Sequence, residues 1–144
     1  MGRIVVHFHG KSKDKSMTSS IQNYSERILP RGIKIEVHSE KLSVDDYLQH
    51  LQSKQGILIL LDEGGSQYTS EQLATLCKEW ALQGQDTHLA IGPFDGWPKS
   101  GNTQKIARIS LSLMTFPHEL ASVLLLEQLY RATEINRGSG YHKA

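Results

Sequence analysis

The sequence has little cysteine and proline, with only Cys77 and four prolines among 144 residues. A single cysteine excludes an internal disulfide bond and any zinc site built from several thiolates. No apolar run approaches the roughly 20 residues that a membrane-spanning helix requires, and no secretory signal follows Met1. We therefore expect a cytoplasmic protein with no membrane partner.

An excess of charge of one sign is also lacking, because 16 basic and 15 acidic residues leave a formal net charge of +1. Such a balance does not by itself attract nucleic acid, so RNA binding would depend on local basic patches or on shape. The length predicts one domain over residues 1–144, which is long enough to bury a complete core.

Several motifs with well-defined chemistry are missing. Gly10-Lys11-Ser12 is similar to the end of a phosphate-binding loop, but Val5 occupies the place of its first glycine. There is no Gly-x-Ser-x-Gly nucleophile elbow and no Gly-x-Gly-x-x-Gly dinucleotide motif. His7 and His9 share a strand face, but no carboxylate or cysteine pattern nearby completes a metal site. Histidines at a sheet edge are the simpler interpretation.

Strands and helices are predicted to alternate along the chain. Period-two or continuous apolar runs indicate strands, and apolar residues at helical spacing indicate helices. This order favours an α/β domain with a mainly parallel sheet flanked by helices. The predicted elements are strands at 3–9, 33–37, 56–61, 87–91 and 106–111, and helices at 16–29, after Ser43, after Thr69 and after Pro117.

The last helix has the clearest boundaries. Thr115 is expected to cap it, Pro117 to lie in its first turn and Gly138 to end it. Residues 120–126 are apolar almost all round, which indicates a buried helix.

Polar side chains interrupt this apolar helix further along. Glu127, Tyr130 and Arg131 bring a carboxylate, a phenol and a guanidinium onto neighbouring faces. Buried polar groups need partners, and either the surrounding backbone or a bound substrate could supply them. Both interpretations stay open at this point.

Three loops are candidates for a ligand site. They follow Leu61, span residues 92–96 and span residues 111–116. Ligands of parallel α/β sheets bind beyond the carboxyl ends of the strands, where each of these loops is predicted to lie. Ordinary turn chemistry explains their glycine and aspartate residues equally well.

At these loops the sequence closely resembles the RlmH family, the bacterial ribosomal large-subunit pseudouridine-N3-methyltransferases of the SPOUT class. The resemblance covers the whole chain in order and spacing, and it is most specific in the last third. The matching segments are Leu61-Asp62-Glu63 and those at 91–96, 111–118, 124–132 and 141–143.

The resemblance implies a SPOUT-type α/β knot, in which the carboxyl-terminal helix is threaded through a loop as a deep trefoil knot. It also implies an obligate homodimer that binds S-adenosyl-L-methionine in the knot. The positions that would contact this cofactor are Leu61, Gly92, Leu111, Ser112, Leu113, Met114, Thr115 and Phe116.

The activity implied by the resemblance is transfer of a methyl group to N3 of a pseudouridine in 23S rRNA, on the assembled ribosome. Most of the catalytic help should come from positioning and electrostatics. We expect Arg131 to stabilise negative charge on the base, Tyr141 to orient it, and His142 to accept a proton or contact phosphate.

The chain departs from the family pattern at four places. Pro93 replaces the second glycine of a pair, and Ser122 replaces an arginine. Ser139-Gly140 replaces His-Pro, and Gly64-Gly65-Ser66 replaces Arg-Gly-Lys. Three of these changes remove basic or imidazole groups that we expect to face RNA.

Two rival hypotheses follow from these departures. The chain could be a divergent relative that binds the cofactor but methylates RNA weakly, not at all or elsewhere. It could also be a purely structural dimer module, which the nearly intact loop at 111–116 disfavours.

Overall fold

Strands and helices alternate in the computed structural model, which describes residues 2–98 and 101–143. The predicted α/β class is confirmed. The elements are β1 (Ile4–His9), α1 (Lys15–Ile28), β2 (Ile33–His38), α2 (Val44–Gln52), β3 (Ile57–Gln67), α3 (Ser70–Leu82), β4 (Thr87–Ala90), β5 (Ala107–Ser110) and α4 (His118–Arg137), with 3-10 turns at Leu29–Arg31 and Gly101–Lys105.

The five strands form one sheet in the order β2-β1-β4-β3-β5, and all of their pairings are parallel. The carboxyl ends of the strands therefore meet along one edge. The strand order changes direction between β1 and β4, which is where open α/β sheets form a ligand crevice.

The two faces of the sheet are covered unequally. Helices α1, α3 and α4 share one core with the side chains on one face of the sheet, around Leu89, Leu125 and Leu126. The opposite face is covered by the short helix α2 through Tyr47, together with Trp97 from a loop. The site edge is thus supported by a thick layer on one side and a thin aromatic layer on the other.

The carboxyl-terminal helix is buried along one stripe, which contains Leu125, Leu126 and Leu129. Leu120 and Val123 are only half-buried, so burial on all sides is not observed in this single chain. Gly138 ends the helix with φ +73°, as predicted, because a residue without a Cβ adopts this conformation readily.

The predicted cap of this helix is wrong. Pro117 occupies the N-cap position and provides no side-chain hydrogen bond there. The Thr115 hydroxyl instead donates to a carboxylate oxygen of Glu63, which lies on β3. The sequence could not show this, because the competing acceptor comes from a segment 52 residues away.

Strand β3 is longer than predicted. It was expected to end at Leu61, but it continues to Gln67 and pairs again with β5. Leu61 and Ser66 both face Ile109, so the residues between them form a large bulge. Gly65 permits this pairing, since a Cβ there would lie 2.6 Å from the Arg108 carbonyl carbon.

The interpretation of His7 as an edge histidine is also wrong. Strand β1 lies between β2 and β4, and its parallel register places His7 opposite Glu36 of β2. His7 is fully buried between the rings of His38 and His88. Burial lowers the pKa of His7 to about 3, so its ring is uncharged at neutral pH.

Candidate active site

A cavity of about 370 Å³ lies at the carboxyl edge of the sheet. The three segments that the sequence singled out meet there, which confirms their predicted proximity, although the segment after Leu61 belongs to β3 and is not a loop. The walls come from the middle of β3, from β5 and the loop after it, from the turn after β4 and from the start of α4. The lining residues include Leu61–Glu63, Ile91–Trp97, Arg108, Leu111, Ser112, Met114–Phe116, His118 and Ala121.

Two aromatic side chains fix the floor of this cavity. The Trp97 indole N–H donates to the Leu61 carbonyl at 2.9 Å, and the Tyr47 hydroxyl donates to the Ile91 carbonyl at 2.9 Å. Their rings stack at 5.5 Å between centroids, with an angle of 10° between planes. The backbone at Leu61 in β3 and at Ile91, just after β4, is therefore held by side chains on the α2 side of the sheet.

Gly92 brings the backbone close to the Trp97 ring. A Cβ at this position would lie 3.1 Å from two indole atoms, which is tighter than an ordinary contact. The chain then turns, because the Gly96 amide donates to the Pro93 carbonyl at 2.8 Å. Phe94, at the tip of this turn, is 85% exposed and stands edge-on to His118. The turn leaves an aromatic ring at the mouth of the cavity.

Hydroxyl groups fix the backbone of the loop before α4. The Met114 amide donates to Ser112 Oγ at 3.0 Å, and the Ser110 hydroxyl donates to the Ser112 carbonyl at 2.8 Å. Leu113 and Met114 project outward and are 77% and 72% exposed. The backbone of the loop is therefore held by its own hydroxyl groups, while Leu111, Met114 and Phe116 contribute to the cavity lining and Leu113 does not.

The cavity carries more acidic than basic groups. Asp62 is neutralised by an ion pair with Arg108, whose second nitrogen donates to the Thr103 carbonyl at 3.0 Å. Glu63 accepts from the Thr115 hydroxyl. Asp95 adds a third carboxylate to the lining. These carboxylates favour a ligand with positive charge or with hydroxyl groups.

Most positions expected to contact a cofactor lie on this cavity. Leu113 is the exception, since it does not belong to the lining that the described residues form. Sequence reasoning missed Trp97 and Arg108, whose partners Leu61 and Asp62 lie 36 and 46 residues away in the sequence. The expected residues on the lining are Leu61, Gly92, Leu111, Ser112, Met114, Thr115 and Phe116.

The three expected catalytic residues form a separate cluster around Glu127. Arg131 contacts this carboxylate at 2.8 Å, and the Tyr141 hydroxyl donates to it at 2.9 Å. An Arg131 nitrogen also donates to His142 Nδ1 at 3.0 Å. Nε2 of His142 therefore carries the hydrogen in the neutral ring, and it contacts Glu71 at 2.7 Å. Glu127 thus connects Arg131 of α4 to Tyr141 of the tail, and Glu71 of α3 holds His142.

This pairing shifts the proton affinities of the cluster. The hydrogen bond from Arg131 to Glu127 raises the pKa of the guanidinium further. Partial burial, followed by the hydrogen bond to Glu127, raises the pKa of the Tyr141 phenol. The hydrogen bond with His142 lowers the pKa of Glu71. Tyr141 is consequently a neutral hydrogen-bond donor at physiological pH.

The Glu127 cluster and the cavity lie far apart within one chain. Ala121 is the last residue of α4 in the cavity lining, and Arg131 follows it 10 residues later on the same helix. An α-helix rises about 1.5 Å per residue, so the two positions are separated by roughly 15 Å along the helix. Among the described residues, none of Arg131, Tyr141 and His142 belongs to the cavity lining.

Ser122 does not lie where the sequence suggested. It is 4% exposed, and its hydroxyl donates to the His118 carbonyl within the helix. The expectation that this position faces RNA is therefore wrong for the single chain. Ser139 and Gly140, in contrast, are exposed in the tail that follows α4.

Comparison with known proteins defines the class of this fold and site. The family described as "Predicted SPOUT methyltransferase" matches residues 3–142. The chain belongs to this SPOUT methyltransferase family, whose fold carries the carboxyl-terminal knot. Use of S-adenosyl-L-methionine is general in this family.

Within the described residues, no helix has both the length and the apolar character needed to cross a membrane.

Individual relatives carry a more specific name, "Ribosomal RNA large subunit methyltransferase H". One from Prochlorococcus marinus (strain NATL2A) is 38% identical over 134 residues, covering 93% of this chain and 91% of the relative. One from Coprothermobacter proteolyticus is 38% identical over 135 residues, covering 93% and 94%. One from Koribacter versatilis is 38% identical over 138 residues, covering 92% of each.

Proposed function

We propose that this protein methylates N3 of a pseudouridine in 23S rRNA on the assembled ribosome, in the cytoplasm, using S-adenosyl-L-methionine. The cavity at the carboxyl edge of the sheet is the observation that carries the proposal, because it joins the strand ends to the loop before the knot helix. Family membership and the name shared by full-length relatives support the same activity.

The cavity fits this cofactor in size and chemistry. Its volume of about 370 Å³ lies within the range of small-molecule sites. Leu61, Ile91 and Phe116 supply apolar walls suited to an adenine ring. The carboxylates of Glu63 and Asp95 suit ribose hydroxyls, the amino group or the sulfonium. When bound, the cofactor supplies an electrophilic methyl group.

The residues of the Glu127 cluster would act on the base. Arg131 keeps its charge at all physiological pH values and can stabilise the negative charge that N3 develops as it loses its proton. Tyr141 remains protonated and can donate a hydrogen bond that orients the base. His142 can accept the proton only after its Nδ1 is released from Arg131, which now donates to it.

A second copy of the chain would complete the site. The Glu127 cluster lies too far from the cavity to serve it within one chain, whereas a homodimer can place the tail of one protomer over the cavity of the other. The exposed Leu113 and Met114 and the half-buried Leu120 and Val123 offer apolar surface for such an interface.

The decisive experiment titrates S-adenosyl-L-methionine into the purified protein by calorimetry. Methyl transfer to ribosomes that lack the modification is then measured with the same preparation. We expect binding followed by transfer to a single nucleotide of 23S rRNA. Absence of binding would overturn the assignment of the cavity, whatever the transfer result.

Mixed dimers test the shared site directly. One protomer carries Gly92→Val in the cavity, and the other carries Arg131→Met in the cluster. At subsaturating cofactor each variant alone should transfer methyl groups much more slowly than the wild type, and the mixture should recover part of the activity because one of the two sites of a mixed dimer is intact. Light scattering that shows only monomers at micromolar concentration would contradict the shared site.

A second candidate is a relative that binds the cofactor but transfers methyl groups poorly or to another nucleotide. The absence of basic side chains at Gly64-Gly65-Ser66 and at Ser139-Gly140 favours it, because cationic groups there would contact phosphate. Cofactor binding without transfer to 23S rRNA, in the experiment above, would select this candidate.

A further inference from the structure

A cluster of histidines and a carboxylate lies on the α2 side of the sheet, outside the cavity described above. His7 Nδ1 is 2.8 Å from His38 Nε2 and 3.5 Å from a carboxylate oxygen of Glu36. The three possible ligand atoms all lie within 4.8 Å of one another. His7 is fully buried, whereas His38 and Glu36 are half-buried, so the cluster opens toward solvent on one side.

A chain of hydrogen bonds sets the orientation of the His7 ring. The Gln55 carbonyl can only accept, so His88 Nε2 carries the hydrogen in their contact of 3.0 Å. In the neutral ring His88 Nδ1 is then an acceptor, and it receives the Nε2 hydrogen of His7 at 2.8 Å. The lone pair of His7 Nδ1 therefore points toward His38 and Glu36.

This arrangement is the one that metal-binding histidines adopt. A ligating imidazole donates its second N–H to an outer partner, which fixes both its tautomer and its direction. Here His88 is that partner for His7, and it is itself held by the Gln55 carbonyl. In the metal-free protein the same lone pair accepts the Nε2 hydrogen of His38.

The separations suit a tetrahedral ion. Zinc binds imidazole nitrogen and carboxylate oxygen at about 2.0–2.2 Å, which places tetrahedral ligand atoms about 3.4 Å apart. The distance of 3.5 Å from His7 to Glu36 already matches. The distance of 2.8 Å from His7 to His38 must widen slightly, as the hydrogen between the two rings moves to His38 Nδ1.

We propose that His7, Glu36 and His38 bind a divalent transition-metal ion of the zinc type, with the fourth position open to water. Two histidines and one carboxylate favour zinc or cobalt over magnesium or calcium, which prefer oxygen ligands. The site lies on β1 and β2, on the opposite side of Tyr47 from the cofactor cavity.

Two lysines oppose the ion and set an upper limit on its affinity. Lys54 contacts Glu36 at 3.3 Å, and Lys34 contacts it at 3.5 Å. Both lysines are partly exposed and flexible, so they can move into solvent when an ion takes over the carboxylate. The ion should accordingly bind more weakly than in a closed structural zinc site.

The test is titration of tag-free, chelator-treated protein with ZnCl₂ by calorimetry, and with CoCl₂ by visible absorption. We expect one ion to bind per chain. Cobalt should give the intense absorption bands of a tetrahedral site, and these bands should disappear when zinc displaces the cobalt. Glu36→Gln and His38→Gln should each weaken zinc binding by at least about 100-fold. This loss exceeds the roughly 10–100-fold expected when a residue that bonds to a ligand, but not to the metal, is removed. Glu26→Gln, on the exposed face of α1, is the matched control and should bind as the wild type does.

The role of His88, which accepts the second N–H of His7, is tested with a separate variant. His88→Leu leaves the three ligands in place but removes the acceptor for His7, and it should weaken zinc binding about 10–100-fold. Thermal unfolding of each metal-free variant shows whether it is folded. Wild-type zinc affinity in folded Glu36→Gln and His38→Gln would overturn the proposal. Loss of the bound ion in His142→Ala instead would assign it to the Glu127 cluster and overturn it equally.

Discussion

The two ends of helix α4 are built in opposite ways. At its amino-terminal end, ordered backbone and apolar side chains surround a cavity, and Leu113, Met114 and Phe94 remain exposed. At its carboxyl-terminal end, Arg131 and its neighbours satisfy one another around Glu127. The first end is shaped to receive a ligand, whereas the second end is closed upon itself.

We therefore expect the amino-terminal end of α4 to bind the cofactor and the carboxyl-terminal end to promote methyl transfer. Arg131 lies roughly 15 Å along α4 from Ala121, the nearest cavity-lining residue of that helix. The mutual hydrogen bonds of the Glu127 cluster hold its side chains in a defined arrangement, and a substrate must compete with Glu127 for Arg131 and Tyr141. Variants at the two ends should therefore affect different measurements.

The largest effect is expected in the buried stripe between the two ends. Leu126→Ala removes a fully buried side chain, and the cavity it leaves should lower the free energy of unfolding by about 2–5 kcal/mol. Leu113→Ala, at a residue 77% exposed, should change it by less than about 0.5 kcal/mol in the monomer. Urea unfolding at low protein concentration compares them. Equal losses would mean that Leu113 is buried in an interface.

The next effect concerns the carboxyl-terminal end alone. Arg131→Met should reduce methyl transfer about 100–1000-fold, as expected when a group that stabilises developing charge is lost. Cofactor affinity should stay within about twofold. Arg137→Met, in the exposed last turn of the same helix, is the matched control and should retain transfer. A large loss of cofactor affinity in Arg131→Met would contradict the assignment of cofactor binding to the amino-terminal end and of catalysis to the carboxyl-terminal end of α4.

A change in the cavity should give the converse result. Gly92→Val places a side chain against Trp97, and overpacking of about 1–3 kcal/mol corresponds to a roughly 10–100-fold loss of cofactor affinity. Gly84→Val is the control, because a Cβ there meets nothing within 4 Å. Calorimetric titration of S-adenosyl-L-methionine measures both. Unchanged affinity in Gly92→Val would place the cofactor elsewhere.

The smallest effect is expected for the Tyr141 hydroxyl. Tyr141→Phe removes one hydrogen bond to Glu127 and should lower the free energy of unfolding by about 1 kcal/mol. The pH profile of transfer should not change, because the raised pKa of this phenol keeps it protonated throughout. Tyr68→Phe, at an exposed tyrosine, is the control. A profile that loses its alkaline limb in Tyr141→Phe would mean that the phenol titrates during turnover.

Local sequence signals predicted the fold well where the interactions are local. The predicted helix starts after Ser43 and Thr69 are confirmed, because the hydroxyl of each residue accepts a hydrogen bond from the amide three residues ahead. The parallel sheet is confirmed, since apolar strands alternate with helices. The continuation of β3 beyond Leu61 was missed, because it depends on pairing with β5 more than 40 residues later.

The sequence predicted the segments that form the site but not the side chains that hold them in place. The cavity loops carry glycines and hydroxyls that are visible in the sequence. Trp97 and Tyr47 act on carbonyls 36 and 44 residues away, which no local pattern reveals. The His7 cluster was missed for the same reason, because Glu36 and His38 meet His7 only through the parallel register of β1 and β2.

The scarcity of cysteine provides a built-in probe of native-state opening. Cys77 lies under α4 at 5% exposure, and burial raises the pKa of its thiol to about 12. A thiol reagent can therefore react only when the packing of α3 against α4 opens. The labelling rate of unmodified protein would report how often that core exchanges with open states, and whether cofactor or metal slows the exchange.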